Sequence, residues 1–388
     1  MRYRSLDSVR GLAAFVVLLY HALLVFPGTQ ENRRAFLVEG WSAPMAWLYA
    51  TPLRIFVSGP AAVLLFFVLS GFVLTLNLAS PRRPTYGEFA LSRYIRIWIP
   101  FAVVIFASAV LSKIIPQQPI LSSSDWFRYT WSIGATTSNI ISHLLMTGTA
   151  GDLDNPMWSL VHELRVSLIF PVLFIVASKR PLISLASSIV LMIICVALLK
   201  YADSRTSFIV SLAQTGTYIY FFIAGIVLAK NFDFVLTKIQ PLPVILKPAT
   251  IFLSLLCLSF SPSTTNNIST FGSIPLLLMN GIAAASIIAF CALPGKLSRF
   301  LTKAVPTYLG RISYSLYLTH LITITSVVYA LGPDTPLVLA VVLALPLSVA
   351  IADLCQRFIE MPSHRLAKVI TARAPTSPAE ADTPTLRS

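Results

Sequence analysis

Arg10 and His21 stand eleven positions apart in the apolar stretch LDSVRGLAAFVVLLYH. Eleven helical steps of about 100° return almost to the starting direction, so the two side chains share one face. At about 1.5 Å per residue they lie about 16 Å apart, with Arg10 near a membrane surface when His21 is near mid-bilayer. Neutral imidazole can act there as a base or a nucleophile. The same pair also reads as an anchoring arginine beside Asp7 and a hydrogen-bonded interior histidine.

A second candidate lies in PMWSLVHELRVSLIFP. The purely apolar part of that segment, residues 166–177, covers only about 18 Å. Trp158 to Arg165 must therefore be drawn toward the membrane, and Glu163 and Arg165 come with them. Ionisable groups at such depth line a pathway or pair with each other, unless both stop at the interface. Pro171 is expected to bend this helix. In RYIRIWIP, Arg93 and Arg96 are three apart on one face. They suit a phosphate clamp, or serve as ordinary flanking charges. Ser70-Gly71 in FFVLSGFVL permits close helix packing. Tyr314, Tyr317 and His320 recur every third residue in GRISYSLYLTH; the tyrosines suit core packing, and His320 can face the same cavity as His21.

The elements that position these residues are membrane spans. Of 388 residues, 56% are apolar and 11% charged, against roughly a quarter charged in a soluble domain. Ten apolar runs approach the length of about 20 residues that a bilayer requires: Leu12–Phe26, Ala61–Ala79, Ile97–Ile115, Trp158–Ala177, Leu182–Leu199, Phe208–Ala229, Val244–Phe260, Ile274–Leu293, Ile312–Leu331 and Leu337–Ala352. Numbering the connections puts 21 of the 29 Lys and Arg on one side. By the positive-inside rule both termini are expected in the cytosol. The expected architecture is all-α and polytopic, with a membrane domain over 1–368 and a disordered cytosolic tail over 369–388. The net charge of +14 belongs to the loops between spans and gives no sign of nucleic-acid binding. Four unpaired-looking cysteines in apolar runs predict neither disulfide nor metal site. The first span is expected to stay uncleaved, since no small-residue site follows Phe26. Two long external loops, 27–60 and 116–157, carry Trp41, Trp47, Trp126 and Trp131 and suit a lid or an interfacial layer. Asn267-Ile-Ser269 fits a glycosylation sequon.

Taken in order, these segments resemble acyltransferase family 3, polytopic enzymes that acylate cell-surface sugars and related acceptors. The resemblance runs from Leu6 to Pro362 through the motifs quoted above and a closing IEMP. It implies a membrane-embedded O-acyltransferase in the cell membrane, or the inner membrane of a Gram-negative host. Its donor would be cytosolic acyl-CoA, most often acetyl-CoA, with no permanently bound cofactor. Its acceptor would be a hydroxyl of a carbohydrate or lipid-linked sugar on the outer side. The family's Arg-x10-His falls on Arg10 and His21, and the acid of its Trp-Ser-Leu-x-x-Glu motif on Glu163. Arg93, Arg96 and Arg10 would then meet the donor's phosphates, with Ser70, Trp158, Arg165 and His320 as further candidates. Where many sugar-acetylating members continue Glu-Gln-Phe-Tyr, this chain has Leu164, Arg165 and Val166, which leaves the acceptor class open. Two other classes fit the same residues: a transporter with His21 and Glu163 in a proton relay, and a structural subunit whose charges pair with a partner helix.

Overall fold

The structure, a computed structural model, describes residues 3–27, 47–48, 51–81, 84–202, 207–260 and 272–371. The expected sequon at Asn267, most of the 27–60 loop and the tail from Ala372 lie outside the described residues. Among the described residues the regular elements are all helical. The apolar runs become α1 (Arg4–Leu24), α2 (Gly59–Leu78), α3 (Tyr86–Ile114), α4 (Trp158–Lys179), α5 (Pro181–Lys200), α6 (Phe208–Lys230), α7 (Leu246–Ser259), α8 (Ser273–Ala292), α9 (Ala304–Leu331) and α10 (Leu337–Cys355).

Nine segments among the described residues are long and apolar enough to cross a bilayer, against ten expected. The difference is α7, with 14 residues. It reaches about 21 Å, short of a core about 30 Å thick. Pro241 and Pro243 precede the helix, and Pro248 stands in its first turn, where its missing N–H and its ring bar the helix from running back through Val244. The architecture is nonetheless that of a multi-pass membrane protein.

Local sequence sets where the polar residues fall. A capping box starts α3: Thr85 Oγ1 accepts from the Glu88 amide at 3.3 Å, and Glu88 Oε2 accepts from the Thr85 amide at 2.6 Å. The helix therefore begins well before its apolar run, and Arg93 and Arg96 sit inside it. At the other end of the chain, α10 passes through a π-helical turn, Gln356–Glu360, into a helix at Met361–Ile370. A π-turn shifts the phase of a helix, and this one turns Glu360 inward.

Two glycine crossings set the register of the bundle. A Cβ on Gly11 would lie 2.2 Å from the backbone N of Gly310, and one on Gly310 would lie 2.6 Å from the Asp7 carbonyl. Backbone thus touches backbone where α1 meets α9. Each helix carries a histidine ten residues beyond its glycine, His21 and His320, or about 15 Å along. Because the helices run in parallel, both rings arrive at the same height. The second crossing joins α2 to α6, where a Cβ on Gly71 would sit 2.3 Å from the Phe222 carbonyl. The close packing expected of Ser70-Gly71 is made by the glycine.

Residues 116–157 form a packed cap on the far end of the bundle, the end opposite the start of α1. Ser124 ties it to the end of α1, its hydroxyl donating to the Leu24 carbonyl at 2.6 Å and its amide to Val25 at 2.8 Å. The Trp131 indole donates to Ser108 Oγ at 2.8 Å, and that hydroxyl donates to the Leu153 carbonyl at 2.6 Å. Trp131 and Met146 are held at φ 65° and 51°, a left-handed conformation that costs a non-glycine residue of order 1–3 kcal/mol.

Candidate active site

His21 is 6% exposed and packed on three sides. Its Nδ1 faces the Val17 carbonyl at 3.1 Å and His320 Nε2 at 2.9 Å. His320 Nδ1 in turn faces the Leu316 carbonyl at 2.9 Å. A carbonyl only accepts, so His320 carries its proton on Nδ1 and presents a lone pair at Nε2. The same rule applied to Val17 puts the His21 proton on Nδ1, donating toward both acceptors. His21 Nε2 is therefore the nitrogen with the lone pair, suited to base or nucleophile. Trp126 from the cap stacks on the His21 ring at 5.4 Å and 19°, fixing its plane.

Toward the near end, side chains of α1, α2, α3, α4, α9 and the π-turn enclose a cavity of about 110 Å³. Its mouth carries Arg10, Arg96, Glu360 and His364. Glu360 accepts from the Ser315 hydroxyl at 2.6 Å and acts electrostatically on Arg10 and Arg96. Arg96 Nε has no partner among the described residues, which leaves a donor at the mouth. Deeper in, Arg93 pairs with Glu163 at 2.9 Å, and Ser70 donates to the same carboxylate oxygen at 3.1 Å. Arg93 also donates to Ser167 at 3.0 and 3.3 Å. Its guanidinium thus points into the bundle and neutralises Glu163. Tyr314 lies beside this pair and donates to the Ile97 carbonyl at 2.8 Å.

One turn farther along α9, Tyr317 closes the cavity. Its hydroxyl donates to the Pro156 carbonyl at 2.9 Å and lies 2.6 Å from Ser159 Oγ, while Phe66 meets its ring edge-on at 5.8 Å. His320 is the next step of the same stripe, its ring 6.0 Å from Tyr317. The stripe is a ladder: Tyr314 beside the ion pair, Tyr317 at the closing layer, and His320 against His21. His21 itself does not line the cavity. Just before Pro156 stands Asp154, 1% exposed, with both carboxyl oxygens unpartnered among the described residues. Burial holds its carboxyl well above the ordinary carboxylate range.

The structure therefore separates the sequence candidates. His21 and His320 meet directly, and Arg10, Arg93, Arg96, Ser70 and Glu163 share the cavity. Glu163 takes Arg93 and Ser70 as partners, one layer removed from the histidines. Trp158 packs on His162 and Tyr218, with ring centroids 5.7 Å away in each case. Arg165 is turned away from the cavity. It donates to the carbonyls of Met146, Thr147 and Ser211 and to the hydroxyls of Ser211 and Thr215, clamping the cap to α6. Sequence reasoning missed Glu360, Tyr317 with Ser159 as a closing layer, Trp126 as the partner of His21, and Asp154. The tyrosine stripe was the one available signal for the layer.

The bundle thus places a buried histidine pair beyond the closed end of an arginine-lined cavity. The chain belongs to acyltransferase family 3, whose acyltransferase domain it matches over residues 3–357. Over 117 residues it is 27% identical to O-acetyltransferase PaAT-1 of Phomopsis amygdali, a stretch covering 28% of this chain and 22% of that protein. No solved structure matches it.

Proposed function

We propose that this acyltransferase moves an acyl group, most often acetyl, from cytosolic acyl-CoA to a hydroxyl of a carbohydrate or lipid-linked sugar on the outer face of the cell membrane. The observation that carries the reading is the alignment of the basic mouth and the histidine pair along α1 and α9. Arg10 and His21 stand about 16 Å apart on one helical face, a span suited to an extended pantetheine arm. With the near end in the cytosol, as the charge distribution favours, the donor's phosphates meet Arg10, Arg96 and His364. The thioester then passes Glu163 and the Tyr317 layer toward His21. The acceptor hydroxyl enters from the capped end. The similarity to an O-acetyltransferase of Phomopsis amygdali supports acetyl as the group and oxygen as the acceptor atom.

At His21 the acceptor oxygen attacks the thioester carbonyl carbon, a C–O bond forms, and the C–S bond breaks. His21 Nε2 takes the hydroxyl proton and returns it to the departing sulfur. In the covalent variant Nε2 attacks the carbonyl carbon and the C–S bond breaks to release CoA as thiolate. The acceptor oxygen then displaces Nε2, which takes the hydroxyl proton and passes it to the thiolate. Both routes keep the proton on Nδ1, where His320 supports the positive charge that forms. Arg93 fixes Glu163 as a neutralised pair, so Glu163 shapes and polarises the donor's path. The test is release of free CoA from acetyl-CoA by the purified protein and by its His21→Ala variant. Loss of release in the variant is expected, and equal release from both overturns the assignment.

A further inference from the structure

A carboxyl group sealed from solvent with nothing to bond is costly, and native proteins keep few of them. An ionised carboxylate in that position costs more than a neutral acid, so Asp154 is held as a carboxylic acid with an O–H donor and no acceptor among the described residues. Its place in the fold is specific. Leu153, before it, is pinned by Ser108, and Pro156, two residues after it, accepts the Tyr317 hydroxyl. The Asp154 carboxyl lies close enough to act electrostatically on the Tyr317 phenol. Tyr317 and Ser159 are the layer that an acyl arm must displace between the cavity and the histidines.

We propose that Asp154 is the acyl-carbonyl donor of this site: its neutral O–H hydrogen-bonds the thioester carbonyl oxygen once the arm has parted Tyr317 from Ser159. This deepens the transfer reading above and rests on it. In the step, the carbonyl oxygen gains negative charge as the C–O bond forms and loses it as the C–S bond breaks. Asp154 keeps its proton throughout. A preorganised neutral donor aimed at an oxygen that becomes charged favours the transition state over the bound donor substrate, so its contribution falls on kcat. A carboxylic acid held neutral in an apolar site serves in this way in other enzymes.

The test uses the purified full chain, acetyl-CoA as donor and water as acceptor, with CoA release followed at steady state. Asp154→Leu removes a group that has no partner among the described residues, so the variant is expected to melt at the same or a higher temperature than the wild type. It should nonetheless lose about 100-fold in kcat with little change in KM. Asp154→Asn keeps an N–H donor and should stay within about tenfold of wild type. A second readout is the carbonyl stretch of a 13C-labelled ketone analogue of acetyl-CoA, with CH2 in place of sulfur. It should sit at lower frequency in wild type and Asp154→Asn than in Asp154→Leu. Asp154→Leu with wild-type kcat, an equal loss in Asn and Leu, or an unchanged carbonyl stretch overturns the assignment. If CoA release survives His21→Ala, the transfer reading itself fails. If His21→Ala abolishes release while Asp154→Leu does not, only the carbonyl-donor role fails.

Discussion

Replacing His320 by Ala removes the acceptor that faces His21 Nδ1 at 2.9 Å. When His21 takes a proton on Nε2 the ring becomes cationic, and the lost interaction is a hydrogen bond to a charged donor, worth about 1.5–3 kcal/mol. At about 1.4 kcal/mol per factor of ten, kcat should fall about 10- to 150-fold. The loss should stop there, because the Val17 carbonyl at 3.1 Å still demands the proton on Nδ1 and preserves the tautomer. It should stay well short of the roughly 10⁴-fold seen when a triad loses its tautomer-fixing acid. His320→Gln offers a neutral acceptor and should recover most of the rate. The assay is CoA release from acetyl-CoA in detergent micelles, with kcat and KM separated and the melting midpoint recorded for each variant. An unchanged kcat in His320→Ala, or a change confined to KM, would refute the orienting role. A loss beyond about 10⁴-fold would give His320 the chemical step itself.

Three further outcomes follow from the packing. The Arg93–Glu163 side chains are only 15% and 19% exposed, so Glu163→Gln or Arg93→Met alone leaves a largely buried charge unpaired and should cost up to about 3 kcal/mol. The double variant should regain most of that loss in thermal unfolding; strictly additive losses would show that the two do not interact. Gly310→Val places a side chain against the Asp7 carbonyl and should part α1 from α9, lowering both the melting midpoint and CoA release, whereas Gly87→Ala, with nothing within 4 Å among the described residues, should change neither. In the cap, His143 is 4% exposed and burial holds its pKa below the ordinary 6.5. The folded state then binds fewer protons than the unfolded chain, so this contribution is complete above about pH 6.5 and is lost as pH falls below it. The melting midpoint of wild type should drop over that range more steeply than that of His143→Gln.

What the sequence revealed, and what it hid, follows from how far apart the interacting residues are. Each span is a local signal of about 20 apolar residues, and alternation of charge ties the signals together. Hydropathy is blind to helix initiation, which is why Val244–Phe260 read as a full span while Pro243 and Pro248 limit the helix to Leu246–Ser259. Arg10 and His21 share a visible face because they lie on one helix, and so do Tyr314, Tyr317 and His320. That His21 meets His320 depends on a contact between two glycines 299 residues apart in sequence, as far apart as the histidines themselves. No single-helix pattern encodes it. Glu163 likewise takes its partner from α3, and Arg165 looks like its neighbour's equal in sequence although it faces the opposite way. Trp126 and Asp154 lie in a cap without periodicity, and Glu360 is brought inward by a π-turn that a 3.6-residue period misplaces.

On the proposed reading, the glycine crossing also accounts for how two substrates would meet without opening the membrane. With α1 and α9 locked at Gly11 and Gly310, a slip of one turn would move one histidine about 5.4 Å past the other and break a 2.9 Å contact. The helices that carry the histidine pair therefore cannot slide to let the donor in. The part free to yield is the side-chain layer of Tyr317, Ser159 and Phe66, held by hydrogen bonds and a ring contact. On the proposed reading this division of labour is required by the chemistry. A water-filled pore from the arginine mouth to His21 would hydrolyse the donor, while a rigid wall would block it. A displaceable layer lets the acyl arm itself open the way, so that His21 meets a thioester with the arm filling the channel behind it.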